Sequence, residues 1–460
     1  MKKIIAYVKE NYVVLFKIYV VWQVLLQWVL APIFPRMGTL GNICIVGIAA
    51  VVYLYDYLKG RILFKRGVRI LPCLFLGAVL LSILINYKVN FVDNMQAYAI
   101  LMIEILILLP AYADDIAKIK KDIFIFGNGV AILMFICSII GFTLYVLDYP
   151  IYLYSYRFCG IFSNPNQSSV LSFFGMISSG LVLAHEKAAG KKRYKIFHIT
   201  NIVLNFFMFT LSNSNTGKVM LFCAVATIGF FVTYHKVQKI KTFLRVLIAV
   251  GVMAVSVGGA YGVYNVTQDA LAYVPGLREG LNLEGLFDGL NFKDHILDKD
   301  DFDKKDFDRS EQEGGLNNNR FEIWREGFVA FKHSPIVGFG PRNVSDAVDL
   351  YVENPRSEIE AGGLHNMYIE LLVTCGILGF VCFAAWALSE LCPVAKTIFG
   401  KQSGTKRDLW IFLLISAGTI SSLAMNMTES AMFFSNSAYS IYFWCLLGYL
   451  LSLVKLSRNS

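Results

Sequence analysis

Apolar runs of membrane-spanning length recur along almost the whole of this 460-residue chain. They fall at residues 13–34, 38–58, 70–87, 96–112, 123–147, 166–184, 196–212, 218–234, 246–264, 367–389, 409–427 and 436–454. Roughly 20 predominantly apolar residues are needed to cross the hydrocarbon core as a helix, which satisfies its backbone groups within one segment. The pattern therefore predicts an all-α, polytopic membrane helix bundle of about 12 transmembrane helices. Composition agrees: 56% of residues are hydrophobic and 16% charged, with mean hydropathy +0.56, more apolar than a soluble core needs.

Orientation follows from the basic residues. Lys2, Lys3 and Lys9, the group from Lys59 to Arg69, Lys118 to Lys121, Lys187 to Lys195, Lys236 to Arg245, Lys396 to Arg407, and Lys455 with Arg458 fall in alternate loops and at both ends. The positive-inside rule puts these in the cytoplasm, together with both termini, and reads the first helix as retained. The same rule accounts for the +9 net charge, so charge makes no case for nucleic acid. The short loops of the opposite side carry only Arg36, Lys88, Arg157 and Lys218. Of nine cysteines only Cys159 is expected outside the cell, and no CxxC or paired-histidine spacing occurs, so neither a disulfide framework nor a zinc site is expected.

One segment breaks the alternation of spans and short loops. Residues 265–363 form a long, partly helical external loop between an N-terminal bundle of nine helices (1–264) and a C-terminal bundle of three (364–460). Its acidic middle, Asp298 to Asp308, reads as solvated; Asp301-x-Asp303 and Asp306-x-Asp308 are common pairs in any acidic run. Further on, Asn319 with Glu322 suits a capping box for a helix from Arg320 to about Lys332, whose Phe321, Trp324, Phe328 and Phe331 form a stripe expected to pack against the membrane surface or neighbouring loops. The Gly338-Phe339-Gly340 turn that follows suits either an ordinary turn or a phosphate-facing nest.

Four polar stretches could carry chemistry. His365 and Asn366, behind Gly362-Gly363, stand where the loop re-enters the membrane as an apolar helix. They either cap that helix or set a base beside an anion site formed by its free N–H groups. Tyr368, one turn on, could orient His365 or contact a substrate, and Glu370 reads as a reactive or a buried structural acid. Arg157, in the stretch Arg157 to Asn166, either snorkels to headgroups or grips a phosphate with its planar fork; Asn166 is expected to cap the next helix. Lys218, in Leu211 to Lys218, is a turn residue at the interface or a substrate contact.

Together these blocks resemble the O-antigen ligase and O-antigen or capsule polymerase (Wzy) superfamily. The likeness rests on Arg157 to Asn166 (R-x-x-G, then N-P-N), Arg320 to Pro341 (R-x-x-x-W, then P-I-V-G-F-G-P) and His365 to Gly379 (H-N-x-Y-x-E, then G-I-L-G). The resemblance implies a glycosyltransferase without metal or cofactor, working on the external face of the bacterial cytoplasmic membrane. It would polymerise undecaprenyl-pyrophosphate-linked oligosaccharide repeats into a capsule, exopolysaccharide or O-antigen; a ligase passing the glycan to lipid A core or another acceptor shares the same frame. Its partners would be the lipid-linked donor, the acceptor glycan, the bilayer and a chain-length regulator. By likeness His365 activates the acceptor, while Arg320, Arg157, Lys218, Asn366 and Tyr368 bind pyrophosphate or substrate. One departure is Ser214-Asn215, where the family usually has Ser-Arg; Lys218 is the cation nearest to that position. A transporter, the reading from a different class, would call for polar groups through mid-membrane rather than at one face.

Overall fold

The computed structural model describes residues 2–30, 37–58, 70–110, 115–146, 153–154, 157–162, 164–190, 193–274, 320–356, 359, 363–399 and 409–459. Among these, a helix meets every expected span. Before the long loop come α1 (Lys2–Leu30), α2 (Met37–Leu58), α3 (Ile70–Ile85), α4 (Phe91–Ile103), α5 (Ile116–Val146), α6 (Pro165–Ala188), α7 (Lys195–Leu211), α8 (Asn215–Lys236) and α9 (Thr242–Ala272). The loop contributes α10 (Arg320–Phe331) and α11 (Val344–Tyr351), and the chain ends with α12 (Met367–Phe399), α13 (Leu409–Met425) and α14 (Ala438–Asn459). A π-helical turn, Glu104–Leu108, continues α4, and Leu153–Tyr154 pairs antiparallel with Arg157–Phe158. Among the described residues seven helices are long and apolar enough to cross a membrane, and four shorter ones are apolar. The protein is a polytopic helical bundle.

Small residues set how closely the helices approach. α6 runs through the interior against α5, α7, α8 and α13. A Cβ on Gly127 of α5 would stand 3.1 Å from the Ser178 carbonyl of α6, and one on Gly217 of α8 would stand 2.7 Å from the Ser169 side chain. Such contacts let backbones pack where lipid supplies no hydrophobic drive between helices. Asn164 starts α6: its side chain accepts from Asn166 N (2.7 Å) with Pro165 at the first helical position. The expected cap was Asn166, but the fixed φ of proline suits the first turn, so the residue before it takes the cap.

The helix that begins at the polar re-entry point is broken. Gly376, at φ 63° and ψ −170°, interrupts α12. The backbone groups freed there bond to the segment Pro335–Gly340. Ile377 N and Leu378 N donate to the carbonyls of Pro335 (2.8 Å) and Ile336 (3.1 Å). Phe339 N and Gly340 N donate in turn to Val373 O (3.0 Å) and Thr374 O (2.8 Å). The hydroxyl of Ser82 adds a bond to Thr374 O at 2.7 Å. A broken helix is tolerated in a bundle only when its freed groups are re-satisfied in this way. The glycine turn is therefore a clamp on α12, and two of its N–H groups are occupied by that helix. Gly338 has φ 70°, and an added Cβ would lie 2.5 Å from the Thr374 carbonyl. Gly338→Ala should cost about 3 kcal/mol or more, from backbone strain plus overpacking. A lower thermal midpoint and poor yield in detergent would report it; an unchanged midpoint would mean that the clamp is loose.

α10 packs on the bundle with the face beside the aromatic stripe. Its buried residues are Ile323, Gly327 and Ala330, in a cluster with Leu364, Val373, Val344 and Val348, while Phe321 is 57% and Phe328 42% exposed. The aromatic stripe divides, Trp324 and Phe331 lying partly buried at the edge of that cluster. The reason is distance: a Cβ on Gly327 would be 2.7 Å from Leu364, so the face with the smallest side chain sits against the start of α12. Asn319 and the acidic run Asp298 to Asp308, including Asp301 and Asp303, lie outside the described residues.

Candidate functional site

The start of α12 is built as a rigid corner. Gly363 and His365 both have positive φ, 68° and 48°, which for a histidine is a sparsely populated conformation. Asn366 then caps the helix, its side-chain oxygen accepting from Tyr368 N (3.0 Å) and Ile369 N (3.2 Å). The rest of Asn366 ties the corner to the turn between α13 and α14: N donates to the Ser430 hydroxyl (3.0 Å) and Nδ2 to Met427 O (3.3 Å). Met367 N donates to the carbonyls of Asn426 (3.0 Å) and Glu429 (3.3 Å). Glu370 also serves this corner, accepting from Leu364 N at 3.3 Å.

That turn delivers Glu429, on which four helices converge. One oxygen, Oε2, lies 3.4 Å from His365 Nδ1. The other, Oε1, accepts from Asn166 Nδ2 on α6 (2.6 Å) and the Thr216 hydroxyl on α8 (3.1 Å), and lies 3.6 Å from Arg320 Nη2 at the first residue of α10. The Asn166 oxygen accepts from Ser214 Oγ at 2.6 Å, and Ser214 also caps α8. The carboxylate is largely enclosed, its side chain 17% exposed, against 27% for His365 and 17% for Arg320. Burial by itself would push the Glu429 carboxyl up. The hydrogen bond and charge of His365, the Arg320 guanidinium and the Thr216 hydroxyl outweigh it and hold the carboxyl below its ordinary value.

The structure thus brings together two of the residues expected from sequence, His365 and Arg320. Asn366 and Tyr368 adjoin them in structural roles: Asn366 is the cap, and the Tyr368 hydroxyl donates to Leu423 O at 3.1 Å. Lys218, two residues beyond Thr216, donates to Asn213 Oδ1 at 2.8 Å and lies 5.2 Å from the centre of the Tyr264 ring. The backbone of Arg157 pairs with that of Tyr154, and its side chain lies outside the described residues. Sequence reading missed Glu429, Thr216 and the inward role of Asn166. Glu429 carried one signal, as an acid between two apolar spans on the face where the scarce cations collect. Among the described residues no three His, Cys, Asp or Glu side chains gather as a metal site.

Chemically, a carboxylate on His365 Nδ1 fixes the ring and its tautomer and leaves Nε2 to act as a base. The nearby guanidinium can meet negative charge with a planar pair of donors.

Residues 200–384 match the family model described as O-antigen ligase (Wzy_C). The match includes Lys218, Arg320, His365, Asn366 and Tyr368, while Asn166 and Glu429 lie outside it. A Haemophilus influenzae protein described as uncharacterized is 22% identical over 225 residues, which is 47% of this chain; the match spans 48%, about half, of that relative's length. The motifs, the fold and the family match point the same way: over residues 200–384 the chain is similar to the O-antigen ligase (Wzy) family.

Proposed function

We propose that this membrane protein polymerises undecaprenyl-pyrophosphate-linked oligosaccharide repeats into a surface polysaccharide, at the outer face of the bacterial cytoplasmic membrane. The observation that carries the reading is Glu429 set between His365 (3.4 Å) and Arg320 (3.6 Å) at one end of the bundle. His365 Nε2 takes the proton of the acceptor sugar hydroxyl as its oxygen bonds to the anomeric carbon of the donor. The bond from that carbon to the pyrophosphate oxygen breaks, and the lipid pyrophosphate leaves with the electron pair. Arg320 meets its charge, with Arg157 and Lys218 as further cations of the same face. Asn366 and Tyr368 hold the corner on which His365 stands. No step uses a metal ion. Transfer of a finished glycan to another acceptor is the second reading, favoured by the description of the matched family as O-antigen ligase.

Purified protein given a defined lipid-linked oligosaccharide tests this. A ladder of longer lipid-linked chains supports polymerisation. Transfer only to a separate acceptor supports ligation, and no transfer to either sinks both readings. Arg320→Lys keeps the charge but loses the fork, so carrier affinity should fall about tenfold or more at moderate ionic strength. Equal binding by the native protein and the variant would leave Arg320 a packing residue. EDTA treatment should leave turnover unchanged, and replacing Asp301 and Asp303 by Asn should have little effect. Loss restored by magnesium or manganese would move the reaction to a metal-dependent class.

A further inference from the structure

The bundle buries a second acid that the proposed reaction does not use. Glu104 is 1% exposed and opens the π-helical turn, where Leu109 N donates across five residues to the Glu104 carbonyl at 2.8 Å. It stands 13 residues, about 20 Å of helix, from the start of α4. Among the described residues no cation pairs with it. Lys17, the buried cation of α1, donates to Pro110 O (3.0 Å) and lies 4.7 Å from the centre of the Tyr449 ring, and Asp122 pairs with Lys118 at 2.8 Å. One carboxyl oxygen of Glu104, Oε2, has no hydrogen-bond partner. The other meets the hydroxyl of Ser440, near the start of α14.

Hydrogen-bond accounting decides how that contact is made. Ser440 has a single hydroxyl proton and two neighbours in reach, the Glu104 carboxyl and, at 2.6 Å, the carbonyl of Met432. The Met432 carbonyl can only accept, and it also takes the indole N–H of Trp444 at 3.2 Å. Both Ser440 contacts hold together when Glu104 carries a proton and donates it to Ser440 Oγ, which leaves the hydroxyl to donate to Met432. An ionised Glu104 would draw the hydroxyl proton to itself and release Met432. It would also leave a charge deep in the bundle with, among the described residues, the Ser440 hydroxyl and the Trp444 indole as its hydrogen-bond donors and no cation.

Met432 belongs to the turn that delivers Glu429. That turn is closed on itself by Ser437 Oγ donating to Ala431 O (3.0 Å) and by Ala431 N donating to Asn426 Oδ1 (3.2 Å). Asn366 and Met367 hold one side of it, through Asn426, Met427, Glu429 and Ser430, Arg342 Nη2 donates to Phe434 O (2.7 Å), and Met432 ties its other side to α14. We propose that Glu104 is held as a carboxylic acid and, through Ser440 and Met432, is a positioning residue for the turn that carries Glu429. Its effect on glycan transfer rests on the proposed function; the proton and the anchoring of the turn do not.

Full-length protein in lipid nanodiscs tests it without any substrate. The infrared difference between the native protein and Glu104→Gln should contain the carbonyl band of one un-ionised carboxylic acid, shifted in heavy water; no such band overturns the proposal. Amide exchange over residues 426–440 should be unchanged in Glu104→Gln, whose amide can donate to Ser440. It should be about 2- to 10-fold faster in Glu104→Leu and in Ser440→Ala, the loss of one net hydrogen bond. A Gln variant as open as the Leu variant overturns the proposal, as does an unaltered turn in Ser440→Ala. Should Glu104→Leu not fold, the infrared band and Ser440→Ala decide alone. With lipid-linked substrate, Ser440→Ala should lower kcat at constant KM while Glu104→Gln stays near native. Absence of transfer in the native protein would overturn the proposed function and leave the infrared and exchange outcomes standing.

Discussion

His365→Ala should remove glycan transfer, lowering turnover by about 10²- to 10⁴-fold, while the protein stays folded and inserted. The imidazole sits one residue before the cap of α12, partly exposed, and the corner around it is held by other groups: the Asn366 side chain, Asn366 N on Ser430 and Met367 N on the turn. Removing the ring therefore deletes the base with little effect on packing. The φ of 48° offers a control, because alanine at this position keeps the backbone strain and glycine relieves it. His365→Gly should be at least as stable as His365→Ala and equally inactive. Single-turnover measurements with purified lipid-linked oligosaccharide, paired with thermal midpoints, make the comparison. Near-normal turnover in either folded variant would remove His365 from the chemistry, and loss in alanine with recovery in glycine would make the corner's geometry the essential feature.

The helices were legible because a span announces itself within one segment: each apolar run needs no information from elsewhere in the chain to become a helix in lipid. His365 and Arg320 were legible for a related reason, being polar motifs at the boundary of such segments. What failed was whatever depended on a second segment. The aromatic stripe of α10 has helical spacing, yet Gly327 turns the neighbouring face toward Leu364, a choice made by a residue on the other side of the contact. Asn164 and Asn166 flank one proline and are equally good caps by type, and position relative to Pro165 separates them. The glycine turn Gly338 to Gly340 suits an ordinary turn or an anion nest locally, and that two of its N–H groups answer the break at Gly376, in a different helix, is visible only in the fold. Glu429 stands 64 residues from His365 with no motif joining them, so only the fold relates the two.

Glu429→Gln should lower turnover by about 10²-fold or more, since a neutral amide neither fixes the imidazole tautomer as a carboxylate does nor stabilises the imidazolium formed when the base takes its proton. The amide retains the size of the side chain and an oxygen for Asn166 and Thr216, so the loss should fall on kcat with folding preserved. The pH dependence carries the sign of the interaction. His365, Arg320 and Thr216 together outweigh burial and hold the Glu429 carboxyl below its ordinary value, so the folded value lies below the unfolded one. Such a group contributes stability that is fully present above the unfolded carboxylate value, about 4.3, and lost as pH falls through the lower folded value. The stability difference between native protein and Glu429→Gln should therefore shrink as the pH falls below about that value. Arg320→Gln, which removes one of the lowering charges, should bring the loss in at higher pH. Thermal midpoints in detergent across an acid series measure both. A native-minus-variant difference that does not change with pH would mean that Glu429 gains nothing from its charge. His365 and Arg320 would then be held by shape, and the ion-pair account of the site would fall.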